Sequence, residues 1–136
     1  MTERREPSPN KQRTAVYARI ASHPFDGWLE YQIFPVKTMI EEKDDLILTA
    51  VYADEGIPAN QPRPQLEAML AACDAGEIDV VVAASISRLA RGMSDLARII
   101  ERLYGSNTKL LLLQEGISVD ELAHIAQLAG IVERCV

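Results

Sequence analysis

No apolar run in this chain comes near the roughly 20 residues needed to cross a bilayer, so no segment reads as a membrane span. The N-terminal stretch MTERREPSPNKQR lacks the apolar middle of a signal peptide, which points to a cytoplasmic address. Cysteine is scarce: Cys73 and Cys135 lie far apart, match no metal or redox spacing, and read as two reduced thiols. There is no glycine-rich phosphate loop, no serine-centred nucleophile elbow and no metal-ligand cluster, and His23 and His124 stand alone. No cofactor and no metal are therefore expected. A basic excess is missing too, since 14 Lys and Arg face 20 Asp and Glu for a net charge of −6. Phosphate neutralisation supplies most of the affinity of a protein that grips duplex nucleic acid by bulk charge, so that mode is disfavoured. The arginines are nevertheless uneven: Arg88, Arg91, Arg98 and Arg102 share one short span, which leaves room for a local anion site.

What is present fits one domain of 136 residues, able to bury a core without disulfides or metal. Residues 1–13, polar and rich in proline, read as a disordered arm, and 14–136 as the folded unit. Thr14 to Ile20 predicts a first strand. Trp28 to Glu42 has helical spacing (Leu29, Ile33, Val36, Met39, Ile40), with Pro35 expected to kink or shorten it. Asp45 to Asp54 predicts a second strand, followed by the loop EGIPANQPRP, and a helix is expected to begin at Pro64 and end near Gly76. Asp79 to Ser85 and Lys109 to Gln114 predict third and fourth strands, apolar at consecutive positions as in strands covered on both faces. Between them Met93 to Tyr104 predicts a helix with Ser94 as its N-cap, and Ser118 opens a last helix with capping-box spacing to Glu121. Strands alternating with helices imply an α/β three-layer sandwich around a mostly parallel sheet of four or five strands. In such sheets the working site lies beyond the C-terminal ends of the strands.

Those ends gather arginine. Arg19 closes the first strand, Arg63 arrives from the proline-rich loop, and Arg88 and Arg91 follow the third strand at a spacing that shares one face if the segment is helical. Four guanidiniums without matched acids repel one another unless an anion lies between them, and guanidinium is shaped to fork onto phosphate. The alternative is that they are solvated, or paired with Asp54, Glu55 and Asp95. Asp54 and Glu55 are adjacent on a strand and so point to opposite faces, which argues against joint acid–base work.

The segments VYARIAS, VYADEGI with RPQLEAML, DVVVAASISRLAR and LLLQEGIS come in the order and spacing of the serine recombinase catalytic domain, the resolvase/invertase family. The chain resembles that family from about Thr14 to Ser118, and its longer loops resemble the large serine recombinase branch. The resemblance implies DNA site-specific recombination without metal. A serine hydroxyl attacks the phosphodiester and becomes linked to the 5′ phosphate while arginines hold the charge. It places Arg19, Arg63, Arg88 and Arg91 on active-site arginines, Gln32 on a glutamine of the first helix, and Asp54 on the acid closing the second strand.

The departures are specific. The family's Tyr-x-Arg-x-Ser reads Tyr17-Ala-Arg19-Ile-Ala21, so alanine stands at the nucleophile position. Its Asp-x-Gly-x-Ser-Gly reads Asp54-Glu-Gly56-Ile-Pro58-Ala59; the acid before the paired arginines is Ser87, and a glutamine position holds Phe25. The long subunit-pairing helix is expected to be cut short at Val136, with no DNA-binding domain following. Ser22 is one residue past the expected place, and strand alternation aims it away from Arg19 unless a bulge follows Ile20. Three readings stay open. The first is a recombinase-type domain with impaired cleavage that binds DNA weakly, forms a homo-oligomer or pairs with a full-length recombinase. The second is an active domain using Ser22, with DNA recognition supplied elsewhere. The third is a non-enzymatic protein-interaction or regulatory module.

Overall fold

In the computed structural model, residues 11–20, 28–57, 61–114 and 116 are described. The expected arm up to residue 10, the segment 21–27 with Ala21, Ser22, His23 and Phe25, the expected last helix from Ser118, and Cys135 lie outside them. The elements run β1 (Gln12–Ile20), α1 (Trp28–Glu41), β2 (Leu46–Glu55), α2 (Pro64–Asp74), β3 (Val80–Ala83), α3 (Ile86–Leu89), α4 (Met93–Gly105) and β4 (Lys109–Leu112). All four strands are parallel, in the order β2-β1-β3-β4. The expected α/β sandwich with a parallel sheet is therefore what forms.

The strand order explains the apolar runs. β1 and β3 are central, and Val80 to Ala83 are buried without a gap. One face packs Ala15, Tyr17, Val81, Ala83, Leu110 and Leu112 against Leu66, Met69 and Leu70 of α2 and Leu96, Ile99 and Leu103 of α4. The other packs Val16, Leu46, Val80 and Val82 against Val36 and Ile40 of α1. Side chains alternate along a parallel strand, so Tyr17 and Val16 are sorted to opposite layers by one step of backbone.

Several boundaries move for identifiable reasons. β1 begins at Gln12 rather than Thr14, because the Gln12 N–H donates to the Asp45 carbonyl at 2.8 Å and the Arg13 guanidinium forks onto Asp79. Pro35 does not stop α1: it lies on the exposed side while Ile33, Val36 and Ile40 bury on either side of it, and that burial offsets the lost backbone bond. Ser94 is not the cap of α4; Gly92 occupies the N-cap position without a side-chain bond, and Ser94 lies inside the first turn. α2 ends as expected of Gly76, which takes φ of +78° while Gly76 N–H donates to the Cys73 carbonyl and Glu77 N–H to that of Ala72. α4 closes the same way, with Asn107 in the left-handed position. β1 to β2 and β1 to β3 leave β1 in opposite directions, so the switch of strand order falls between β1 and β3. A crevice forms at the C-terminal end of such a switch.

Candidate active site

Arg19 is the penultimate residue of β1 and shares the face of Tyr17, toward the α2–α4 layer. Its Nη2 donates to the Ser87 carbonyl at 2.8 Å, and Arg88 Nη1 returns a bond to the Arg19 carbonyl at 3.2 Å. The end of β1 and the segment after β3 are thereby laced together. Ser85 caps α3, its Oγ accepting from the Arg88 N–H at 3.3 Å, and bonds the Ser87 hydroxyl at 3.0 Å. Arg91 reaches the other way, its Nη1 donating to the Gln61 carbonyl at 2.6 Å.

The four arginines do share one neighbourhood. Burial holds the Arg19 guanidinium below its ordinary pKa, and the positive charges of Arg63, Arg91 and Arg88 push it further the same way. Arg19 Nε is buried and, among the described residues, without a hydrogen-bond partner. Among the described residues, neither Arg19 nor Arg88 forms a salt bridge.

Arg63 differs, and here the expectation of unmatched acids fails. It is only 3% exposed, and its Nη2 meets Asp95 Oδ2 at 2.5 Å. Its Nη1 donates to the Leu89 carbonyl at 2.6 Å, and its guanidinium carbon lies 6.0 Å from the centre of the Tyr17 ring. Arg63 is also the N-cap residue of α2, just before Pro64. The shared helical face expected for Arg88 and Arg91 does not form either. α3 ends at Leu89, Ala90 is extended, and Arg91 leaves the turn in a new direction.

Asp54 is 2% exposed and saturated with donors: the Tyr17 hydroxyl at 2.7 Å and the N–H groups of Gln65 and Leu66 at 2.9 and 3.0 Å. A carboxylate at the open N–H groups of a helix is favourably placed, so Asp54 anchors the start of α2. Burial, then the Asp54 hydrogen bond, pushes the Tyr17 hydroxyl pKa well up. Glu55 is exposed, as its position next to Asp54 on a strand requires. Gln32 stands on α1, on the opposite side of the sheet from α2, with its Oε1 buried and, among the described residues, without a partner. Sequence reading missed Tyr17 as a site residue, and it offered Asp95 only as one of three acids that could pair with the arginines. The two-residue step from Tyr17 to Arg19 was a usable signal for the first; nothing local announces that Asp95 meets Arg63 across 32 residues.

The sequence of residues 14–133 matches the family described as "Resolvase, N terminal domain", and the chain belongs to it. Over 70 residues it is 36% identical to the transposon Tn501 resolvase of Pseudomonas aeruginosa and, to the same extent, to the Tn1721 resolvase of Escherichia coli. That stretch is 52% of this chain and 37% of each relative, so the match spans little more than a third of their length. In three dimensions the chain is similar to the N-terminal catalytic domain of TP901-1 integrase, with a TM-score of 0.77, 17% identity, and 90% and 97% of the two chains covered. It is also similar to a resolvase family site-specific recombinase from Streptococcus pneumoniae, with a TM-score of 0.71, 21% identity and 92% of each chain covered. At these identities the structural likeness speaks for the fold.

Proposed function

We propose, with membership of the resolvase family as the premise, that this is a DNA-contacting serine-recombinase domain whose cleavage step is impaired at Ala21. The observation that carries the reading is that Arg19 and Arg88 meet at the ends of β1 and β3 with no ion-pair partner among the described residues, and that Arg19 stands two residues before an alanine. A phosphodiester in that crevice receives forked N–H donors, which favour the extra negative charge of a five-coordinate phosphorus. Arg19 and Arg88 supply those donors from the strand ends, and Asp54 supports them by anchoring Tyr17 and the start of α2. The attack itself needs an oxygen lone pair, and the methyl group of Ala21 has none. The domain then contributes phosphate contact and fold to an assembly, as one copy among others or beside a full-length recombinase.

The test is covalent capture on a nicked suicide DNA substrate. This chain is expected to form no adduct, and Ala21→Ser is expected to gain one. An adduct formed by the unaltered chain and lost in Ser22→Ala would overturn the impaired reading in favour of Ser22 as nucleophile.

A further inference from the structure

Asp95 stands at the third position of α4 with one carboxylate oxygen doing two jobs. Oδ2 accepts from Arg63 Nη2 at 2.5 Å and from the Arg91 backbone N–H at 2.9 Å, while Oδ1 accepts from Arg98 Nη2 at 3.2 Å. Burial opposes the ionised form, but the Arg91 N–H, Arg63 and Arg98 outweigh it and hold the Asp95 carboxyl below its usual range. The other end of Arg63 is committed to the Leu89 carbonyl. One ion pair therefore ties three pieces together: the start of α2 through Arg63, the end of α3 through Leu89, and the start of α4 through Asp95.

We infer that Asp95 is the internal counter-ion of the arginine site, and that it makes Arg63 a positioning residue rather than a phosphate ligand. The inference rests on the DNA-contacting reading and deepens it. A phosphate reaching Arg63 would have to displace a carboxylate that also holds the Arg91 backbone, and would leave that carboxylate facing the incoming charge. Arg19 and Arg88 carry no such neutralising partner among the described residues, so the anion meets them first. Arg63 and Asp95 together add no net charge to the site. Their work is to fix where the segment bearing Arg88 and Arg91 sits.

Charge counting separates this from a purely structural role. The full 136-residue chain is titrated with a short mixed-sequence DNA duplex at several salt concentrations, and each variant is first checked by thermal unfolding. Each phosphate-neutralising cation contributes about 0.9 to the slope of log affinity against log salt. Arg88→Ala is expected to lower that slope by about one contact's worth. The double variant Arg63→Gln with Asp95→Asn removes a neutral pair and is expected to leave the slope unchanged. Asp95→Asn alone uncovers the Arg63 charge and is expected to steepen it; where that variant does not fold, the double variant decides. A double variant that loses as much slope as Arg88→Ala would overturn the counter-ion role and leave the DNA reading intact. An Arg88→Ala slope equal to that of the unaltered chain would instead remove the reading on which the inference stands.

Discussion

Two groups of arginine lie within a few turns of each other and are treated in opposite ways. On the outer face between α2 and α4, Arg98 meets Glu67 and Asp95 at 3.2 Å, and Arg102 meets Asp74 at 2.7 Å and Glu67 at 3.8 Å. At the strand ends, the side chains of Arg19 and Arg88 donate to backbone carbonyls instead. Neighbouring charges of opposite sign satisfy the first group from within. The second has its geometry fixed by carbonyls, which orient a guanidinium without cancelling its charge. Arg63 stands between the two groups: it is placed with the second and neutralised like the first. What marks the site is how its cations are paired: Arg98 and Arg102 meet carboxylates, whereas Arg19 and Arg88 meet carbonyls.

The largest effect is expected from truncating Arg63, which belongs to both groups. Arg63→Ala takes from Asp95 its most buried ion-pair partner and from the Leu89 carbonyl its side-chain donor, and is expected to cost about 3 kcal/mol in chemical denaturation, the range for removing one partner of a buried ion pair. A cost like that of an exposed arginine would put Arg63 in the outer group. Asp54→Ala leaves the Tyr17 hydroxyl and two α2 N–H groups without their acceptor, and is expected to lower stability by about 2 kcal/mol on the same measurement. Arg88→Ala is expected to change stability by less than about 1 kcal/mol, since it loses one partly buried bond to a carbonyl. Its signature is weaker, less salt-dependent DNA binding. Arg98→Ala and Arg102→Ala are expected to cost at most about 1 kcal/mol, because both side chains are more than a third exposed, and to leave the salt slope alone.

Acid provides the mildest test. The Arg13 guanidinium holds the Asp79 carboxyl below its ordinary value against a smaller opposing effect of burial, and Asp95 is held low as well. A carboxylate with a depressed folded-state pKa contributes stability that is fully present above its unfolded value, about 3.9, and lost as pH falls through the folded value. Urea midpoints are therefore expected to be flat near neutrality and to fall below about pH 4. Asp95→Asn is expected to flatten part of that fall, and Asp79→Asn another part.

Much of this was legible along the chain because it depends on short-range rules. Pro64 at the first turn of α2, Gly76 beyond its end and the unbroken valines of β3 each follow from local backbone or burial preferences. Arg19 could be assigned to a face by counting alternate residues. Ser94 misled because Gly92 took the cap.

The residues by themselves determined the order of strands and helices, the apolar stripes that bury, and the presence of arginines at the strand ends with alanine at position 21. Which acid neutralises which arginine depends on how the elements pack. Asp95 reaches Arg63, and Asp54 reaches Tyr17 and the start of α2, through contacts between residues 32, 37 and 12 positions apart. Periodicity reports the face a side chain takes on its own element. Charge pairing depends on where different elements come to rest against each other, and packing of the two layers against the sheet sets that.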